Sequence, residues 1–244
     1  MKITLEKDQK IFFTSDTHFG HSNICRATTK WTSREDLTRD FSSLEDMNET
    51  LIKNINDNVG ENDILFHLGD WSFGGIENIM KFRERIFCKN IHLILGNHDH
   101  HIEDNKIIPG YWEDENDLIH KGECSHKYKE IFNLYSQKIF KSVNNYLKIE
   151  IKIPQGKNVK HLRFDFVLCH YPIASWHDMN KGVMHLFGHV HLPKKDKIRE
   201  GKSLDVGCDG NDLKPYSLEE VIKLIEKRPI KKLSLPADHH EARI

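Results

Sequence analysis

The sequence carries no charge excess that would mark it for a polyanionic partner. Over 244 residues, 36 Lys and Arg stand against 37 Asp and Glu, for a formal charge of −1. A globally basic face for nucleic acid is therefore not expected, and such a partner would need a local patch. No apolar run approaches the roughly 18 residues that would span a bilayer, and the N-terminus has no charged, apolar, small-residue leader. These absences lead us to expect a cytoplasmic chain with no membrane partner. Cysteine is scarce as a framework element: Cys25, Cys88, Cys124, Cys169 and Cys208 are odd in number, scattered and free of any CxxC pair. Neither disulfide stapling nor a thiolate zinc site is indicated, and reduced thiols are expected. Internal repeats and low-complexity segments are lacking too.

What is present is histidine, 17 in all, with several placed beside Asp or Gly, and 38% apolar residues, enough for one sizeable core. Ile11–Thr14, Ile64–Leu68 and Ile91–Leu95 read as short buried strands. Between them, Ser43–Asn58 reads as a helix capped by Ser43 with Asp46, and Gly75–Phe87 as a helix with Ile76, Ile79, Phe82 and Ile86 on one face. This alternation predicts an α/β domain. Phe132, Tyr135, Ile139 and Val143 predict an amphipathic helix over Lys127–Asn145. Leu147, Ile149, Ile151 and Ile153 alternate with charges as a half-exposed strand, and Leu162–Cys169 follows as its antiparallel partner. Val183–Phe187 and Ser203–Val206 are further strands, and a capping box of Ser217 and Glu220 opens a C-terminal helix. The organisation expected is one domain over residues 1–227 with a helical and loop insertion around 100–145, then a tail over 228–244. His100 and His101 read as surface residues.

The polar clusters that follow these strands carry the chemistry. Two divalent cations require oxygen and imidazole donors, a carboxylate able to bridge, and open positions for substrate and water. Asp16 and His18, Asp70, Asn97, His170, and the pair His189 and His191 offer all of these. Asp16, Asp70, Asn97, His170 and His189 each stand just past an apolar strand, and loops at carboxyl ends of strands are where open sheets build sites. Gly-Asp or His-x-His alone arises often by chance. The ordered set Asp-x-His, Gly-Asp, Gly-Asn-His-Asp, His and Gly-His-x-His requires chance to act independently at every member.

The ordered set resembles the calcineurin-like metallophosphoesterase superfamily, over about Phe12 to Gly210 and with no motif missing. The resemblance implies two packed mixed β-sheets flanked by helices, an α/β fold (α+β by some schemes), with a dinuclear metal site at one edge. By position, Asp16, His18 and His191 would hold the first metal, Asn97, His170 and His189 the second, and Asp70 would bridge both. Manganese is the first candidate, with iron, zinc and nickel also compatible with Asp, Asn and His donors. Two dications carry four charges; two carboxylates and a bridging hydroxide remove three, leaving about +1 to attract a phosphate ester. The metals would lower the pKa of the bridging water and so supply the nucleophile.

His98 would face the phosphate and stabilise or protonate the leaving oxygen. Asp99 has two readings: it orients the His98 imidazole, or it caps its loop. The wording Asp16-Thr17-His18-Phe19-Gly20-His21, Cys169-His170-Tyr171-Pro172 and Leu204-Asp205-Val206-Gly207 looks like a small set of bacterial and phage phosphoesterases. That places His21, Asn23 and Arg26 as substrate-side candidates, Arg26 as a phosphate clamp, with loop structure as the bland reading of His21 and Asn23. Trp176 and His177 would wall the site or stack on a base, core packing being equally open for Trp176. The expected activity is hydrolysis of a phosphomonoester or phosphodiester, a nucleotide among the candidates, with no protein partner evident. A nuclease acting on DNA or RNA is not favoured, and a non-catalytic scaffold of the same fold is the remaining alternative.

Overall fold

In a computed structural model of the chain, the described residues are 1–32, 37–103, 106–107, 111–113, 119–121, 139–154, 159, 161–196 and 200–231. The strands in order are β1 (Lys2–Thr4), β2 (Ile11–Thr14), β3 (Ile64–His67) and β4 (Asn90–Ile94). Two small hairpins follow, β5 (Ile102–Glu103) with β6 (Lys106–Ile107) and β7 (Tyr111–Glu113) with β8 (Ile119–Lys121). Then come β9 (Ser142–Asn144), β10 (Tyr146–Ile153), β11 (Leu162–Cys169), β12 (Met184–Phe187), β13 (Ser203–Asp205) and β14 (Tyr216–Ser217). Helices α1 (Leu44–Asn58), α2 (Gly75–Glu84) and α3 (Leu218–Ile225) complete the set of long elements used below.

Strand β2 shows how the layers arise. Side chains alternate across a strand, so Phe12 joins Met47, Leu51 and Phe82 in a core under α1 and α2, while Ile11 and Phe13 join Phe66, Phe166 and Leu186 in a second core between the sheets. One sheet runs β14-β2-β3-β4-β9 and the other β1-β10-β11-β12-β13. These are two mixed sheets flanked by helices, as expected. The predicted pairing of β10 with β11 is antiparallel, Tyr146 opposite Cys169 through Ile153 opposite Leu162.

Direction matters most for the site. Strands β2, β3 and β4 are mutually parallel, and so are β11, β12 and β13. An isolated bridge, Ser15 to Gly207, joins the two sets just past β2 and β13. The carboxyl ends of both sheets therefore meet along one edge.

Both capped helices form as the sequence predicts: Ser43 accepts the Asp46 N–H, and Ser217 with Glu220 makes a full capping box. The helix predicted over Lys127–Asn145 does not hold at its end. Residues 122–138 lie outside the described residues, but Ser142–Asn144 is a strand parallel to β4, with Val143 opposite Leu93. A non-local pairing overrides the local apolar spacing there. His101 is buried at 4% exposure, against the surface placement expected. Most of the predicted 100–145 insertion and of the tail also lies outside the described residues. No helix among the described residues is long and apolar enough to cross a membrane.

Candidate metal centre

The candidate ligands leave their strands through tight loops. Asp16 (φ 57°), His18 (φ 49°), Asp70 (φ 57°), His189 (φ 72°) and His191 (φ 48°) all sit in the left-handed region, at a cost of order 1 kcal/mol or more for each non-glycine residue. Carboxylates hold the turns in place. Asp16 accepts the His189 N–H at 3.0 Å, and Asp205 accepts those of Leu192 (3.0 Å) and Gly207 (2.7 Å). Close approach of the loops needs glycine at two points. A Cβ on Gly188 would overlap Ser15 Oγ and Asp16 Oδ2, and one on Gly96 would overlap Asp70 Oδ1.

The polar atoms converge in two groups. In the first, His18 Nε2 stands 3.1 Å from His191 Nε2, and His191 Nε2 stands 3.9 Å from Asp16 Oδ1. In the second, Asn97 Oδ1 is 3.1 Å from His170 Nε2 and 2.9 Å from His189 Nδ1. Asp70 Oδ2 lies between them, 3.5 Å from His18 Nε2 and 3.6 Å from His170 Nε2. Two donors each about 2.1 Å from one ion are about 3.0–3.4 Å apart at tetrahedral or octahedral angles. The contacts of about 3 Å in each group match such an arrangement while those of Asp16 and Asp70 are longer, and the sets Asp16, His18, His191 and Asp16, Asp70, His170 could each hold a metal ion.

Hydrogen bonds on the far side of the rings sharpen the fit. His170 Nδ1 lies 2.7 Å from the Leu68 carbonyl and His191 Nδ1 lies 2.8 Å from Asp209 Oδ2. Each partner can only accept, so each Nδ1 carries a proton. Burial keeps the His170 ring neutral with a lone pair on Nε2, whereas at His191 burial is outweighed by Asp209 and Asp16, which raise its pKa. His170 Nε2 thus faces Asn97 Oδ1 acceptor against acceptor, and the two Nε2 atoms of His18 and His191 face each other. A cation resolves both contacts.

Electrostatics agree. Burial, partly offset by His191, pushes the Asp16 carboxyl up to about 7, and burial also raises Asp70. Both carboxylates are costly as bare anions and gain from a counter-ion. Burial lowers His170 to about 4 and holds His18 well below the usual imidazole range, so both rings stay neutral and able to ligate. The donor set fits two divalent cations.

The other sequence candidates divide. The half-buried His98 ring lies 5.5 Å from His18 and 4.6 Å from Phe73, and its backbone N–H donates to Asp70 Oδ1 at 2.9 Å. His21 stacks on Phe73 at 3.7 Å and lies 5.3 Å from His18. The structure brings both to the site. Asp99 instead follows its loop-capping reading: its carboxylate accepts the N–H groups of Asp70 (2.8 Å), Trp71 (2.9 Å) and Gly96 (2.9 Å). That binds the two central ligand loops together rather than orienting the His98 ring.

Partners elsewhere occupy the remaining four. Asn23 Oδ1 accepts the Lys30 N–H at 3.1 Å within its own loop. The exposed Arg26 pairs with Asp40 at 3.0 Å. Trp176 Nε1 donates to the Val183 carbonyl at 2.8 Å and its ring packs 5.0 Å from His185, the core-packing reading. His177 pairs with Asp178 at 2.9 Å.

Sequence reasoning missed a pair behind His191. The Arg39 guanidinium is buried and grips Asp209 with Nε to Oδ1 at 2.8 Å and a terminal nitrogen to Oδ2 at 3.0 Å. It also donates to the backbone carbonyls of Thr17 and Asp16. Burial opposes the Asp209 anion, yet Arg39 and His191 hold its carboxyl far below the usual range. Tyr171 was missed as well: it is exposed, with its ring 4.8 Å from His189 and 5.0 Å from His170. Its place directly after His170 was the available signal.

Residues 9–193 match the family model described as calcineurin-like phosphoesterase, and the chain belongs to that family. Membership supports metal-dependent phosphoester hydrolysis in general. Among its relatives is the uncharacterized protein MJ1445 of Methanocaldococcus jannaschii, 28% identical over 225 residues that cover 90% of this chain and 93% of that one. The crystal structure of AQ665 from Aquifex aeolicus, a protein of unknown function, shares the fold at a TM-score of 0.52 and 19% identity. The match covers 89% of this chain and 100% of that one.

Proposed function

We propose that the chain is a dinuclear metal-dependent hydrolase of phosphomonoesters or phosphodiesters acting in the cytoplasm. The observation that carries this reading is the convergence of the facing imidazole nitrogens, Asn97 Oδ1 and two buried carboxylates, with Asp70 Oδ2 about midway between the groups. Asp16, His18 and His191 are assigned to one metal, Asn97, His170 and His189 to the other, and Asp70 to both. When bound, two divalent cations supply Lewis-acid charge and lower the pKa of a water. The open side of the site is set by Asn97 and His189, the exposed members of the set, which leaves room for a phosphoryl group beside them.

His98 follows Asn97 in the chain, with its ring 5.5 Å from that of His18. From there its imidazole can donate to a phosphoryl or leaving oxygen, and the bond from its backbone to Asp70 fixes its loop relative to the bridge. His21 and Phe73 back the His98 ring with a layer of aromatic surface, and burial keeps His21 neutral by lowering it to about 4. Manganese is the first metal to try.

The test is a manganese-loaded panel of aryl phosphates, aryl phosphodiesters, cyclic nucleotides, cyclic dinucleotides and short nucleic acids, run beside His98→Ala. Turnover of one ester class is expected, with His98→Ala keeping its metal and losing on the order of 100-fold in kcat. Metal uptake without turnover of any ester would favour a non-catalytic scaffold, and salt-sensitive cleavage of DNA or RNA a nuclease.

A further inference from the structure

A buried ion pair behind a candidate ligand is not needed for folding economy, because desolvating two charges generally cancels much of their attraction. Arg39 and Asp209 are therefore an unusual use of core space. The Arg39 side chain is 5% exposed and its fork meets Asp209 along both oxygens. Asp209 Oδ2 serves twice, accepting from Arg39 and from His191 Nδ1. The ring can then turn only one nitrogen, Nε2, toward His18 and Asp16.

Arg39 also joins this ring to another part of the fold. Its backbone bridges Cys25, with N–H to the Ile24 carbonyl at 2.7 Å and its carbonyl accepting the Arg26 N–H at 2.9 Å. Its side chain reaches the carbonyls of Asp16 and Thr17, at the turn that presents Asp16 and His18. The Cys208 thiol donates to the same Asp16 carbonyl at 3.3 Å, so this turn is gripped from two directions.

Resting on the hydrolase reading, we infer that Arg39 and Asp209 are a positioning pair for the His18 and His191 half of the site. They fix the Nδ1–H tautomer and ring plane of His191 and tie the loop around Cys25 and Arg26 to that half. Asp209 acts on metal through His191, as carboxylates behind ligating histidines do. Among the described residues the other half has no such pair: His170 leans on a backbone carbonyl instead. Loss of the pair should weaken one metal and spare the other, an asymmetry that a merely structural role would not give.

The first test needs no variant. In the full chain carrying 15N-labelled histidine and loaded with zinc, the His191 ring should show metal on Nε2 and an exchange-protected proton on Nδ1. Metal on Nδ1, or an Nδ1 proton exchanging as fast as those of exposed histidines, overturns the inference. The second test is zinc and manganese titration of Arg39→Met combined with Asp209→Leu, which removes both buried charges together. One binding step should weaken about 10–100-fold, the other by less than about threefold. A folded double variant that binds both ions with wild-type affinity, or loses both equally, overturns it. Wild-type protein that takes up no metal would sink the hydrolase reading itself, a result separate from either of these.

Discussion

The two halves of the candidate centre are built differently although each is supplied by one His of the same Gly-His-x-His segment. Asp16 and His18 are buried at 0% and 3% exposure, and His191 is locked from behind by Asp209 and Arg39. In the other half His170 is buried, but Asn97 and His189 are exposed. One half is a mostly buried site braced by charge; the other opens to solvent and, among the described residues, has a carbonyl behind its buried ring. The difference teaches where rigidity and access have been divided: braced, mostly buried donors on one side and solvent-facing donors on the other.

The largest effect should come from the residue the two halves share. Asp70→Asn removes the bridging charge while keeping shape, so both metals should bind at least about 10-fold more weakly and turnover should fall by on the order of 100-fold or more. Metal analysis by mass spectrometry after dialysis, with steady-state kinetics, reads both. A variant that kept two ions and wild-type turnover would dissolve the bridge and with it the description of two halves around one carboxylate.

Chelation probes the asymmetry itself at smaller amplitude. With dilute EDTA the first ion should leave several-fold faster than the second, and the ion retained should be the one seen by His18 and His191 in histidine-resolved spectra. Equal release rates, or retention at His170 and His189, would break the comparison.

The sequence displayed the exposed logic of the centre better than its support. The β2 range Ile11–Thr14 and both capped helix starts were readable because they depend on a short local apolar run and on side chains three residues apart. Five of the seven ligand candidates, Asp16, Asp70, Asn97, His170 and His189, stood out because each stands just past an apolar strand. Arg39 and Asp209 were not, since 170 positions separate them and nothing in either local sequence marks the other. Asp99 had two chemically sensible roles, and only the bonds to Asp70, Trp71 and Gly96 choose between them. Val143 kept helical spacing with Ile139 yet belongs to a strand, because its partner Leu93 lies far away in the chain.

The smallest effect concerns the pH at which the halves can be compared. His185 sits on β12 outside both, with Nδ1 donating to the Val167 carbonyl at 3.2 Å, and burial lowers it to about 4. A neutral imidazole held below its unfolded value of 6.5 leaves the unfolded chain binding the extra proton between pH 6.5 and 4. Stability contributed by this group is therefore full above pH 6.5 and is lost progressively as pH falls to about 4. The buried Asp16 and Asp205 carboxyls, raised by burial to about 7 and about 6, act in the opposite sense, so total stability is a poor readout. A difference isolates the histidine. In metal-free protein, urea midpoints of wild type and His185→Gln at pH 7.5 and pH 4.5 should converge on acidification by up to about 3 kcal/mol, because only wild type carries the proton penalty. A constant gap between the two proteins at both pH values would show that His185 takes up its proton without cost in the fold. Convergence would instead fix about pH 7 and above as the range in which chelation reports on the two halves and not on the core beneath them.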